Sequence, residues 1–217
     1  MKNKIKRILQ KLYKLFNHLP FNNKYRLRGA KIQNYGKTLY KCKFVCNGKG
    51  NTIILHPDGV IRNTVFYING NNNTIEIGKG SSIVQGDLYI EDDGNKIEIG
   101  NNTRLCGKIH LACTESKTIK IGNDCLFSSE IVFRTGDSHS ILDEQVNRIN
   151  HADDVIINDH VWIGYRALLN KGVYIAPNSV IGAGAVVTKK FNESNVVIAG
   201  VPAKIVKTDV NWCSKRI

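Results

Sequence analysis

The sequence predicts an all-β fold, a solenoid of stacked parallel coils, and two periodicities carry that expectation. "NTIIL" begins at Asn51, "NTIEIG" at Asn73, "NKIEIG" at Asn95 and "KTIKIG" at Lys117, so the starts lie 22 residues apart. From Val155 the period tightens to six, through "VIINDH", "VWIGYR", "ALLNKG", "VYIAPN", "SVIGAG" and "AVVTKK". Three such hexads make one triangular turn of about 18 residues, and the longer units read as that turn plus a short loop. No unit carries enough apolar surface to fold alone, so neighbours must stack.

The N-terminal segment comes first. Residues 1–50 hold 14 of the 31 Lys and Arg and no Asp or Glu, and the rest of the chain is close to neutral. The net charge of +13 therefore belongs to one segment, which argues against a basic groove that follows phosphates and against nucleic acid as a partner. In "MKNKIKRILQKLYKLFNHL", Ile5, Ile8, Leu9, Leu12, Tyr13 and Phe16 fall at helical spacing among Lys and Arg. This basic amphipathic helix has two readings. It packs its stripe on its own domain or a sister subunit, or it lies, through residues 1–20, on an anionic membrane surface. It is too short to span a bilayer and has no continuous apolar run of a signal peptide. The expectation is a cytoplasmic protein, peripheral at the inner face of the membrane on the second reading. Its six cysteines (Cys42, Cys46, Cys106, Cys113, Cys125 and Cys213) are then reduced thiols. No CxxC pair occurs and no metal is expected.

Residues 51–210 read as the coil domain, with residues 211–217 left as a tail. Alternation such as Ile75-Glu76-Ile77 and Ile97-Glu98-Ile99 is that of strands with one buried face. Gly78, Gly100 and Gly122 follow where the chain turns a corner. Residues 135–154, "TGDSHSILDEQVNRINHADD", break the rhythm. An irregular stretch cannot lie inside a solenoid, where its backbone groups would lack partners, so it must bulge out as a loop. Such loops build functional sites in repeat folds, and His139 stands at the base of this one.

"HVWIG" at 160–164, "SVIGAGAVVTK" at 179–189 and "AGVPAKIVK" at 199–207 resemble the hexapeptide-repeat acetyltransferases, a likeness covering roughly residues 51–210. The resemblance implies a left-handed β-helix, where the general crossover rule would favour the right hand. It also implies a homotrimer with acetyl-CoA bound between adjacent subunits. "DSHSI" followed by "RIN" is similar to the branch that O-acetylates sugars, including capsular and lipopolysaccharide glycans. Asn158 in place of a glycine, and "KKFNES" in place of a proline-containing turn, depart from the pattern at corners.

What the resemblance implies is acetyl transfer from acetyl-CoA to a hydroxyl of a cell-surface glycan of capsular, lipopolysaccharide or sialic-acid type, by direct attack with His139 as general base. Histidine suits this because its ordinary pKa, about 6.5, lies near working pH. Asp137 is expected to orient His139, by the "DSH" match, with Asp143 and Glu144 as alternatives. His160 is expected to shape a corner or subunit contact, His110 and His151 to be solvated or bonded, and His18 and His56 to lie outside the cleft. Trp162 packs an interface or stacks on substrate or coenzyme. Ser138 is assigned to the acceptor side, and Arg148 touches an anionic acceptor or anchors the loop. Gly164, Gly182, Ala183 and Gly184 would let the pantetheine arm run close to the backbone. Lys189, Lys190, Lys204 and Lys207 would supply charge for its phosphates. Three rivals stand. A γ-type carbonic anhydrase needs a His-x4-His spacing that the chain lacks. An antibiotic-acetylating enzyme would share the histidine base, and a non-catalytic scaffold would need neither motif.

Overall fold

The computed structural model describes residues 8, 12, 15 and 22–215. Alternating apolar and polar residues form short strands, each paired in parallel with the strand one coil away. Ile53, Ile75, Ile97 and Ile119 lie side by side, followed by Val155, because the loop intervenes. Ile156 then sits beside Tyr174 in the shorter coils. The strands form a 7-stranded sheet and a 15-stranded sheet. The larger sheet bends between Leu105 and Lys108, so strand Arg104–Cys113 serves two faces, pairing first with Leu126–Phe127 and then with Ile131–Arg134. The result is a left-handed parallel β-helix. It ends in an antiparallel hairpin, Val197–Gly200 with Ala203–Lys207.

Inward residues form continuous columns. Ile53, Ile75, Ile97, Ile119 and Val155 make one, and Leu55, Ile77, Ile99, Ile121, Ile157 and Ile175 another, all at most 1% exposed. Burying such a side chain fully contributes about 1.5–3 kcal/mol. Phe44 stacks on Phe66 at 4.5 Å between ring centroids.

The corners carry polar ladders, because backbone groups there lose their strand partners. Buried Asn51 accepts the Asn73 N–H at 2.9 Å, Asn73 that of Asn95 at 2.7 Å, and Asn95 that of Lys117 at 3.0 Å. Ser81 and Thr103 do the same at another corner, accepting from Thr103 and Cys125 at 2.9 and 3.0 Å. Gly78 is needed for close stacking: a Cβ there would lie 2.5 Å from the Gly100 backbone. A third corner is left-handed, with Asn102, Asp124, His160, Asn178 and Asn195 at φ between 54° and 62°. Asn and Asp tolerate that region best, and His160 shares the column. Asn158, at a position expected to be glycine, donates its amide to the Ile175 carbonyl at 2.7 Å.

The coil begins earlier than the boundary at residues 50 and 51. Lys24–Leu27 pairs with the strand Lys43–Asn47, and Ala30–Asn34 pairs with Asn51–Leu55. This first unit carries Ala30 where later ones carry Asn, so the motif is lost while the alternation persists. Lys37 is fully buried at its corner and donates to the carbonyls of Asp58, Gly78 and Ser81 at 2.5, 2.8 and 3.0 Å. The burial lowers its pKa to about 8. The expected helix over residues 1–20 lies outside the described residues except for Ile8, Leu12 and Leu15, which are helical and 52%, 54% and 67% exposed. Among the described residues, no helix is long and apolar enough to cross a membrane.

Candidate active site

Strand Ile131–Arg134 delivers the chain into the loop, and Val155–Ile157 takes it back. The neck is tight. The Asp153 N–H donates to the Thr135 carbonyl at 2.9 Å, and the Thr114 N–H to the Thr135 hydroxyl at 2.9 Å. Beyond it the loop is organised by Asn150, which is 8% exposed. Its amide donates to the Asp137 carboxylate at 2.9 Å and to the His139 carbonyl at 2.8 Å. Its side-chain oxygen accepts the Ile141 N–H at 2.7 Å and Arg148 Nε at 3.2 Å. Lys171, on the next coil, reaches Asp137 at 2.5 Å and the Asn150 carbonyl at 2.9 Å. Arg148 is paired with Glu115 at 2.6 Å. At the tip, Asp143 accepts the N–H groups of Gln145 and Asn147 at 3.0 and 2.8 Å.

These bonds set the charges. The Lys171 ammonium, then the Asn150 amide, hold Asp137 below the usual carboxylate range, and Arg148 does the same for Glu115. Burial pushes the thiols of Cys42, Cys46 and Cys125 up to about 11 and that of Cys113 up to about 12, so none offers a ready thiolate. Among the described residues, no group of three His, Cys, Asp or Glu could hold a metal ion.

His139 is thus fixed through its backbone, while its exposed imidazole makes no hydrogen bond among the described residues. Among the described residues no hydrogen bond joins Asp137 to the ring: its Oδ2 accepts from Lys171 and Asn150, which steadies the chain on either side of the histidine. Asp143 serves the tip, and Glu144 is exposed. Ser138, at φ +66°, accepts from Arg134 at 3.0 Å. Arg148 anchors the loop to Glu115.

The other candidates lie elsewhere on the coil. Trp162, 42% exposed, sits between Leu126 and Val180 on the face that precedes the loop's face. At Gly164 a Cβ would come within 2.7 Å of the Ala183 nitrogen, and at Gly182 within 2.9 Å of the Ala199 Cβ. The strip is therefore smooth because the coils stack closely. Gly184, at φ +69°, opens on free space beside exposed Ala183. Lys204 and Lys207 are exposed on the terminal hairpin, and Lys189 lies 5.4 Å from the Phe191 ring centroid. Sequence reasoning missed Trp212. It stacks on His160 at 4.3 Å, donates its indole N–H to the His160 carbonyl at 2.9 Å, and lies 6.2 Å from Trp162. His160 also bonds Asn178 at 3.1 Å. Asn150 and Lys171 were missed too, although Asn150 is the last residue of "RIN".

Coils of this period, interrupted by one long loop, define a hexapeptide-type β-helix. Residues 154–189 match the family described as bacterial transferase hexapeptide (six repeats). A crystal structure of the polySia-specific acetyltransferase NeuO is similar at a TM-score of 0.76 and 31% identity, over 88% of this chain and 84% of that one. The polysialic acid O-acetyltransferase of Escherichia coli O1:K1 is 36% identical over 100 residues, 46% of this chain and 32% of the relative. The galactoside O-acetyltransferase of Escherichia coli K12 is 36% identical over 100 residues, 45% of this chain and 48% of the relative. The chain thus spans about a third of the length of the first of these curated relatives and about half of the second. It belongs to the hexapeptide-repeat acetyltransferases.

Proposed function

We propose that the chain is an acetyl-CoA-dependent O-acetyltransferase acting on a hydroxyl of a cell-surface glycan of capsular, lipopolysaccharide or sialic-acid type, with His139 as general base. One observation carries this reading: a loop clamped at its base presents an exposed imidazole that has no hydrogen-bond partner among the described residues. The acceptor oxygen attacks the thioester carbonyl carbon while His139 takes its proton. A backbone N–H of a neighbouring coil meets the oxyanion. The C–S bond then breaks, and the proton passes from His139 to the departing sulfur. No enzyme nucleophile is required.

The smooth strip of Gly164, Gly182 and Ala183, the open space at Gly184, and the lysines Lys189, Lys204 and Lys207 fit a long, phosphate-bearing coenzyme. Bound there, it supplies the activated acetyl group. His139 and this strip stand on different faces of one chain, so a second copy must bring them together, which supports a homotrimer with its site at the subunit boundary. Ser138 faces the acceptor, and Trp162 lines the same cleft. The exposed Ile8, Leu12 and Leu15, in a segment of pure positive charge, support docking of residues 1–20 on an anionic membrane surface. The test is mass spectrometry of candidate glycans incubated with protein and acetyl-CoA. A gain of one acetyl group that requires His139 is expected. Transfer to an antibiotic hydroxyl alone would move the protein to the drug-inactivating branch, and light scattering that shows an active monomer would remove the trimer.

A further inference from the structure

Arg134 is the last residue of the strand from which the loop departs. Phe133 is fully buried, so the alternation turns Arg134 outward, where it stays half-buried. Its Nη2 donates to the Ser138 hydroxyl at 3.0 Å, one residue from His139. The guanidinium therefore bonds the residue directly before the one that bears the exposed imidazole.

Arg134 differs from the cations around it. Arg148 is paired with Glu115, Lys171 with Asp137 and Arg166 with Glu130, at 2.6, 2.5 and 2.8 Å. Among the described residues, no carboxylate lies within ion-pair distance of Arg134. Asp137, the nearest acid along the chain, is bonded to Lys171 and Asn150. A partly desolvated guanidinium without an anion is unfavourable, and Ser138 occupies only one of its five donors. Its planar fork matches a carboxylate through two parallel hydrogen bonds. The coenzyme phosphates are not the natural occupant, because the lysines suited to them stand on another face and on the terminal hairpin.

We propose that Arg134 reads the acid group of the acceptor: it binds a carboxylate on the sugar whose hydroxyl His139 deprotonates, so the preferred acceptor is an acidic glycan. This rests on the transfer reading given above. The test uses a sialic-acid oligosaccharide and its carboxyl-reduced derivative, in which each carboxylate has become a neutral CH₂OH. Equilibrium binding is measured beside KM and kcat, with wild type, Arg134→Gln and Arg134→Lys. Gln keeps a donor for Ser138 and loses the charge, while Lys keeps the charge and loses the fork. Wild type should favour the acidic form by roughly ten- to a hundredfold, as for hydrogen bonds between charged groups. Arg134→Gln should erase that preference by raising KM for the acid, leaving kcat on the reduced form within about twofold, and Arg134→Lys should restore part of it. An equal fall in kcat on both acceptors would reduce Arg134 to a tether for Ser138 and overturn the proposal, as would a wild type that binds both alike. An Arg134-dependent preference in binding without any acetyl transfer would overturn the transfer reading and still support the acid site.

Discussion

The coils at residues 51–121 and the loop at residues 135–154 are held by different kinds of bond. In the coils each residue repeats, one layer up, the contact made by its counterpart. Ile75 packs between Ile53 and Ile97, and Asn73 bonds between Asn51 and Asn95. In the loop nothing repeats, and the bonds converge on Asn150, Lys171 and the Arg148–Glu115 pair. Repetition spreads the stability of the coils over many equivalent contacts. Convergence makes the loop depend on a few side chains at a partly solvated surface. The difference predicts that stability and chemistry are separable by substitution.

The largest expected effect lies in the loop. His139→Ala should lower single-turnover transfer by about 10²–10⁴-fold without moving the melting temperature, because the exposed ring makes no hydrogen bond among the described residues. His160→Ala should do the reverse. It removes the stack under Trp212 and the bond to Asn178, at a cost of about 1–2 kcal/mol in stability and little in rate. Exchanged outcomes would place the base on the wrong histidine. In the coils, Phe127→Ala should cost about 3–5 kcal/mol in denaturant titration, because the fully buried ring stacks on Phe133, while turnover per folded molecule stays near wild type. A proportional loss of turnover would show that loop and coil are coupled.

Asn150→Ala sharpens the contrast, since it frees the His139 carbonyl, Asp137 and the Ile141 N–H together. We expect kcat to fall roughly ten- to a hundredfold through lost positioning, with no more than about 1–2 kcal/mol of global destabilisation. Acid should act on the loop late. Asp137 and Glu115 are held below their ordinary values, so their contribution is present above the ordinary carboxylate range and is lost as pH falls through the lowered values. Hydrogen exchange at Ile141 and Ala152 should stay slow down to the ordinary Asp and Glu range and quicken below it. Loss of protection near neutrality would contradict the ion-pair account. The smallest effect belongs to removal of residues 1–20, which should leave transfer unchanged and abolish co-sedimentation with anionic vesicles. Equal sedimentation of both forms would end the membrane reading.

The inside and outside of nearly every coil strand could be read directly, because a period of two along a strand and a fixed step between coils leave little choice about which face is buried. The same logic marked residues 135–154 as a loop, and the "DSH" resemblance placed attention on His139. The coil start at Lys24 was hidden because Ala30 breaks the asparagine motif without breaking the pairing.

The sequence by itself determined the repeat, its core and the position of its interruption, since all three depend on periodicity along a single stretch of chain. Only the tertiary structure decided that Asp137 serves Lys171 and Asn150, that Arg134 has no acid within ion-pair distance among the described residues, and that Trp212 returns to cover His160. The residues joined by those bonds are 34, 13, 4 and, for the bond from Trp212 to His160, 52 positions apart, and no periodicity relates them. Which charge meets which is settled by the few ångströms between stacked coils, a distance that composition and spacing do not encode.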